Sequence, residues 1–426
     1  MAPITDHPLR YELANELHAR PFPTLDAPCR AAYLAIKRTD NAAGRDRGAD
    51  LAHLKALLDH YDAPHPEAGA THFFGKIGDH LLKWESHTEF VTYTIFGEGT
   101  AAEPFDARTF SLFPDAWLLK APGARMTSAL IRVEQQAGDK GIAKKLSEWF
   151  VAESVAVSRV LDDDAVVAGD FRIDAAGHMR FAVFARPQTG ERRTGRIVQR
   201  LCEIETYKAM SMLGFSRSRG LGRTLGELDV RLSALTDALS SAPAQTEATL
   251  GSLLQVSGEL EALTAKSTFR FGATAAYEKI VNQRIAVLRE TRFEGRQTFG
   301  EFMMRRFDPA MRTVASTKER LDKMADRAIR ASDLLRTRVD VERSGENKAL
   351  LESMDRRADL QLRLQKTVEG LSIVAISYYA LNLAANMALP IGLAVGLGST
   401  GTKALLTPIV IGLVWMMVSK LRKSLD

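Results

Sequence analysis

Two asparagines four residues apart, Asn382 and Asn386, stand in the longest uncharged stretch of the chain. Residues at that spacing share one face of a helix. A ring of amide oxygens on such a face, contributed by several copies, could contact a hydrated cation. The bland use of the same residues is hydrogen bonding to a neighbouring helix, and it is the commoner one. A second candidate is the run Asp162-Asp163-Asp164. Three adjacent carboxylates repel unless a cation or basic groups lie beside them. Oxygen donors suit Mg²⁺ or Ca²⁺, so a regulatory divalent cation is one reading. A solvated turn, where Asp bonds its own backbone, is the other and the favoured one.

All nine histidines precede residue 179, and six of them (His53, His60, His65, His72, His80 and His87) fall within 35 positions. Neutral imidazole is a good transition-metal ligand, but no pair shows a metal-site spacing such as His-Glu-x-x-His. Structural histidines are the expectation. The glycine-rich run from Gly396 to Lys403 ends Gly-Thr-Lys, whereas a phosphate loop ends Gly-Lys followed by Ser or Thr. No Gly-x-Ser-x-Gly elbow occurs, so a hydrolase is not supported and no enzyme is expected.

The elements that must hold these residues fall into three blocks. Residues 1–190 read as an α+β domain, expected in the cytoplasm. Leu9 to Ala19 looks helical and stops before Pro21. Asp50 to Tyr61 is amphipathic, with Leu51, Leu54, Leu57 and Leu58 on one face. Lys140 to Phe150 is a short helix. Strands are expected at Cys29–Arg38, His72–Ile77, Glu89–Phe96, Met126–Val133, Val155–Val160, Val166–Ile173 and His178–Ala185. Strands that follow one another with few crossover helices predict a largely antiparallel sheet.

Residues 191–367 are almost wholly helical. Leu225, Leu228, Leu232, Leu235 and Leu239 step by three and four, and Leu253, Val256, Leu260 and Leu263 repeat the pattern. A further helix is expected from Pro309 to Arg343, seamed by Leu321, Met324, Ala328, Ala331 and Leu335. Ser344-Gly345-Glu346-Asn347 reads as a turn. Beyond it the apolar spacing continues through Leu360, Leu364, Leu371 and Val374 into the uncharged stretch. Such seams form a coiled-coil stalk or an antiparallel bundle within one chain.

Residues 368–426 form the third block. From Gly370 to Thr402, and again from Ala404 to Ser419, no side chain is charged; Lys403 stands between. About 20 apolar residues cross a hydrocarbon core, which predicts a two-helix transmembrane hairpin in contact with the lipid bilayer. Lys366 before it and Lys420, Arg422 and Lys423 after it place both termini in the cytoplasm by the positive-inside rule. The net charge of +5 is uneven. Residues 191–366 hold 32 Lys and Arg against 24 Asp and Glu, and the first 190 residues are net acidic. A basic stalk suits anionic headgroups. No nucleic acid is expected, because arginine–aromatic clustering is lacking. Two distant cysteines, Cys29 and Cys202, give no disulfide framework.

His18-Ala19-Arg20-Pro21-Phe22, Val368-Glu369-Gly370-Leu371-Ser372 and Ile376-Ser377-Tyr378-Tyr379 resemble the bacterial membrane-anchored family filed as domain of unknown function 3422. The resemblance covers the whole chain and implies a bacterial inner-membrane anchor with no assigned activity. The layout is also similar to that of CorA-type magnesium channels: an α/β domain, long stalk helices, two C-terminal spans and a basic tail. That similarity implies a homo-oligomer with a pore along the first span, and Mg²⁺ or another divalent cation as cargo. The Gly-Met-Asn signature of those channels is absent. Its nearest counterparts are Asn382 and Asn386-Met387, with Ala385 where the glycine would stand.

Overall fold

The computed structural model describes residues 4–16, 22–39, 44–241 and 246–425. The chain divides into two compact units, residues 1–241 with 251–331, and residues 242–250 with 332–426.

The first unit is built on a nine-stranded sheet. Its strands are β1 (Cys29–Lys37), β2 (His72–Ile77), β3 (His80–Ser86), β4 (Val91–Glu98), β5 (Ala124–Gln135), β6 (Ala156–Val160), β7 (Ala165–Gly169), β8 (Met179–Ala185) and β9 (Thr291–Arg292). They lie in the order β2-β3-β4-β1-β5-β8-β7-β6-β9. Every neighbouring pair is antiparallel except β5 and β8, which run parallel from Ala129 opposite Met179 to Gln135 opposite Ala185. The sheet is therefore mixed but largely antiparallel, as the sequence led us to expect, with that one parallel pair as the exception. A parallel neighbour requires a long connection. Here it is made by helix α4 (Asp139–Trp149) and the β6–β7 hairpin.

Both faces of the sheet are covered, which is why β1 reads as a continuous apolar run rather than an alternating one. Ala31, Tyr33 and Ala35 point to one side and join Ile197, Leu201 and Ile204 of α5 (Glu191–Ser241). Ala32, Leu34 and Ile36 point to the other and join Leu54, Leu57 and Leu58 of α2 (Arg47–His60). Ile142 and Leu146 of α4 cover Val157, Val166 and Phe184 on the far half of the sheet. The short α1 (Arg10–Glu16) and α3 (Asp115–Leu118) complete the front part. The rest of the expected N-terminal helix, and residues 18–21 of the His-Ala-Arg-Pro-Phe run, lie outside the described residues.

The leucine seams find one another inside the chain. Leu225, Leu228 and Leu232 of α5, Leu253, Val256 and Leu260 of α6 (Thr246–Ala286), and Leu321, Met324 and Ala328 of α8 (Asp308–Ala394) belong to one buried cluster. Between α6 and α8 stand β9 and the short α7 (Phe299–Arg306). The turn expected at Ser344–Asn347 is not there: α8 runs unbroken for 87 residues. An interior glycine costs a helix only about 1 kcal/mol, and Gly345 is not followed by a proline that would enforce a stop.

In the second unit α8 continues to Ala394, and α9 spans Ser399–Leu425. Side chains 340–368 of α8 are all exposed within the chain.

Candidate functional site

The two C-terminal helices meet as a hairpin. Gly396 takes φ +78°, a left-handed conformation that glycine adopts without steric cost. Leu397 N–H donates to the Gly392 carbonyl at 2.9 Å and Gly396 N–H to the Leu393 carbonyl at 3.3 Å, the paired bonds of a Schellman helix end. Gly392 lies so close to Thr402 that a methyl group there would overlap the threonine side chain. Ser377 and Ala385 of α8 and Thr402, Val410 and Val414 of α9 are buried in the pair. The remainder faces outward: Leu371, Val374, Tyr379, Leu383, Met387, Ile391, Trp415 and Met416 are each more than 60% exposed. Two helices are thus long and apolar enough to cross a membrane.

The two asparagines part company on this hairpin. Asn382 is half-buried, whereas Asn386 is exposed. Pro390 sits inside α8. It has no N–H to offer the carbonyl four residues back, that of Asn386. Position 386 therefore carries an amide side chain together with a main-chain oxygen deprived of its usual helical donor.

The aspartate run occupies the tight turn between β6 and β7, where Leu161, Asp162 and Asp163 have φ of 52°, 60° and 68°. Each carboxylate is taken by an arginine. Asp162 pairs with Arg289 at 2.8 Å. Asp163 accepts from Arg159 at 2.8 Å and Arg186 at 3.1 Å. Asp164 accepts from Arg193 at 2.6 Å. Asp139 joins them, accepting from Arg186 at 2.6 Å. Hydrogen bonds from Arg159 and Arg186 outweigh its slight burial and hold its carboxyl below the usual range. The run is thus a turn, the favoured expectation, and its carboxylates are met by the guanidinium groups of Arg159 within the same hairpin and of Arg186, Arg193 and Arg289 from farther along the chain. Among the described residues, no group of three or more His, Cys, Asp or Glu is placed to hold a metal ion.

The clustered histidines are dispersed, some into packing and others at the surface. His53 is buried, stacked on Trp117 at 3.9 Å and hydrogen-bonded to Tyr93 at 3.0 Å. Burial lowers its pKa below the usual imidazole value. His87 stacks on Phe90, and His65 lies 2.6 Å from Asp59. Cys29 and Cys202 are buried free thiols, the first pushed up to about 12 by burial.

Sequence reading missed a buried charge cluster. Glu89, fully buried just before β4, accepts both prongs of the Arg270 guanidinium and the Tyr277 hydroxyl of α6, with Lys37 of β1 at 3.7 Å. Burial pushes the Glu89 carboxyl up, but the Arg270 fork, Tyr277 and Lys37 together bring it below the usual carboxylate range. More than 180 residues separate Glu89 from Arg270 and Tyr277, so no local spacing announces the cluster. It binds the sheet to α6.

Together these features define a class: an α+β unit with paired internal charges, long helices, and two C-terminal apolar helices with outward-facing apolar surface. The chain belongs to the family described as Protein of unknown function (DUF3422), whose model matches residues 5–425. No curated protein matches it.

Proposed function

We propose that the chain is a two-span protein of the bacterial inner membrane, which tethers its α+β and helical unit at the cytoplasmic face as a homo-oligomer without catalytic chemistry. The observation that carries this reading is the exposure of the hairpin. Only 11% of each apolar window is buried within the chain. The core helix of a water-soluble protein would be mostly buried, since exposing so much apolar side chain to water is costly at roughly 25 cal/mol per Å². Lys366 ahead of the first helix and Lys420 near the end of the second support the cytoplasmic orientation of both ends. Self-association is supported by residues 340–368. Helices draw most of their stability from packing, yet Leu350, Leu360 and Leu364 are 59%, 66% and 66% exposed. Alkaline carbonate extraction of membranes tests the anchor: the intact protein should stay in the pellet, and release into the supernatant would refute it. A cysteine at Leu364 should then crosslink to itself between copies.

A second reading, ion conduction along α8, draws on one observation. Asn386 presents an exposed amide beside a carbonyl that Pro390 leaves without a helical donor. Oxygen donors of this kind, repeated around an axis, suit a hydrated divalent cation. Flux of Mg²⁺ or Co²⁺ into liposomes holding the purified protein, lost in Asn386→Leu, is the expected result. Liposomes that stay tight to both ions would remove this reading and leave the tether standing.

A further inference from the structure

We propose that the unit containing the sheet carries an anion-binding site for a compact phosphate-bearing ligand, formed by Arg292, Arg296, Arg305 and Arg306. These arginines line one open cavity of about 370 Å³ beside β9 and α7. That volume lies in the range of small-molecule sites.

The local sequence fixes the walls. Arg292 ends β9, which pairs with β6 through Ser158 and Arg159. Phe293 to Arg296 then form a tight turn closed by Arg296 N–H to the Phe293 carbonyl at 2.9 Å. Its central residues, Glu294 and Gly295, have φ of 46° and 73°. Gln297 fastens the following strand-like segment to the sheet. It donates from Nε2 to the Val155 carbonyl at 3.1 Å and accepts from Val157 N–H at 2.8 Å. Thr298 and Glu301 form a capping box that starts α7. One helical turn later, Arg305 and Arg306 close the other side of the cavity.

Charge is what makes the cavity unusual. Four guanidiniums face two carboxylates, Glu153 and Glu301. Glu301 is already engaged by Arg292, whose Nε lies 3.0 Å from Oε1. Arg306 rests on the Phe302 ring at 5.4 Å. Among the described residues, no carboxylate forms an ion pair with Arg296, Arg305 or Arg306. Elsewhere in this unit the opposite holds: around Asp162 to Asp164 every carboxylate has its arginine. The negative end of the α7 dipole favours Arg305 and Arg306. It does not account for the half-buried Arg296 on the loop across from them. Like charges gathered at one concave surface are relieved by a bound anion, and the forked guanidinium matches phosphate oxygens in pairs. No aromatic side chain lines the cavity, so nothing there would stack on a nucleobase. The chemistry selects charge density, as in pyrophosphate, tripolyphosphate or the phosphomonoester of a lipid headgroup.

Calorimetric titration of the full-length protein in non-ionic detergent tests the site, with tripolyphosphate as the soluble probe and dioctanoyl phosphatidic acid as the headgroup probe. Binding of one or both is expected, weakening with added salt, and the arm that responds identifies the source. Arg296→Ala with Arg305→Ala should weaken it at least about tenfold, since each change removes a charge-assisted guanidinium fork from the anion. The double Arg→Lys variant should fall between, retaining charge but losing the fork. Both positions are at least partly exposed, and an unchanged melting temperature confirms that the variants fold. Absence of binding to either probe, equal binding by the double alanine variant, or binding to an RNA oligonucleotide alone would each overturn the proposal.

Discussion

The two units of this chain treat polar and apolar surface in opposite ways. In the unit around the sheet, charges are taken inside and matched. Glu89 is fully buried against Arg270 and Tyr277, and Arg45 meets Asp50 at 3.0 Å with both side chains under 5% exposed. In the unit holding the hairpin, large apolar groups are turned outward, with Met387 75% and Leu371 74% exposed. Buried charge survives only with good geometry around it. Exposed apolar surface of this extent needs a covering that is not water. The first unit is built to be finished by itself, the second to be finished by its surroundings.

The largest test of that contrast removes one buried partner. Glu89→Ala leaves Arg270 and Lys37 facing each other without the carboxylate. Stability of the detergent-solubilised protein, followed by thermal melting, should fall by about 3–5 kcal/mol, the range for breaking a buried pair. A change under 1 kcal/mol would mean that water reaches the cluster and that the first unit is less self-contained than described.

On the other side of the comparison, Gly392→Leu should force α8 and α9 apart at Thr402. Overpacking of this kind costs about 1–3 kcal/mol. Disulfide trapping between cysteines at Ala388 and Thr407 reads the separation directly and should slow in the variant. Unaltered trapping would mean that the hairpin holds together without the close approach.

Acid sharpens the contrast further. Glu89 and Glu134 both have carboxyls held below the usual range, in each case because paired cations outweigh burial. A depressed carboxyl contributes stability above the unfolded value near 4.3, and that contribution is lost as pH falls through the folded value. The melting temperature of the first unit should therefore drop below about pH 4, and less so in Glu89→Gln. The hairpin itself contains no such carboxylate, so its association with detergent should not follow that transition. The smallest effect is expected from Arg363→Ala. Its pair with Asp359 at 3.3 Å is exposed on both sides, and such pairs contribute under about 0.5 kcal/mol. A melting shift beyond a degree or two would show that this face of α8 is covered.

What sequence could disclose divides along the same line. The hairpin and the leucine seams were legible because burial, or its absence, repeats at the period of the helix. Most strands were found from short β-branched and aromatic runs. Strand β3 was missed: Lys83, Glu85 and Ser86 interrupt its apolar pattern, although Lys83 and Ser86 are buried. The Gly78-Asp79 turn between β2 and β3 was the available signal, with Gly78 at φ +55°. The parallel β5–β8 pair was invisible because β6 and β7 lie between the two strands in sequence and beyond β8 in space. The same limit hid Glu89 with Arg270, and Arg186, Arg193 and Arg289 with Asp162 to Asp164. Long-range pairing leaves no mark on local composition. The cavity beside α7 gathers Arg292, Arg296, Arg305 and Arg306 within fifteen residues, and that density was available as a basic cluster.

The junction at Gly396 has a practical consequence. Helix α8 stops at Ala394 and α9 begins at Ser399, so four residues join the two. For a chain that crosses a bilayer twice, almost nothing would emerge on the far side. Trypsin or an impermeant biotin reagent added from that side would find Lys403 as its nearest target, one helical turn inside the second crossing. An epitope spliced in beside Gly398 would give such reagents a handle that the natural turn does not provide.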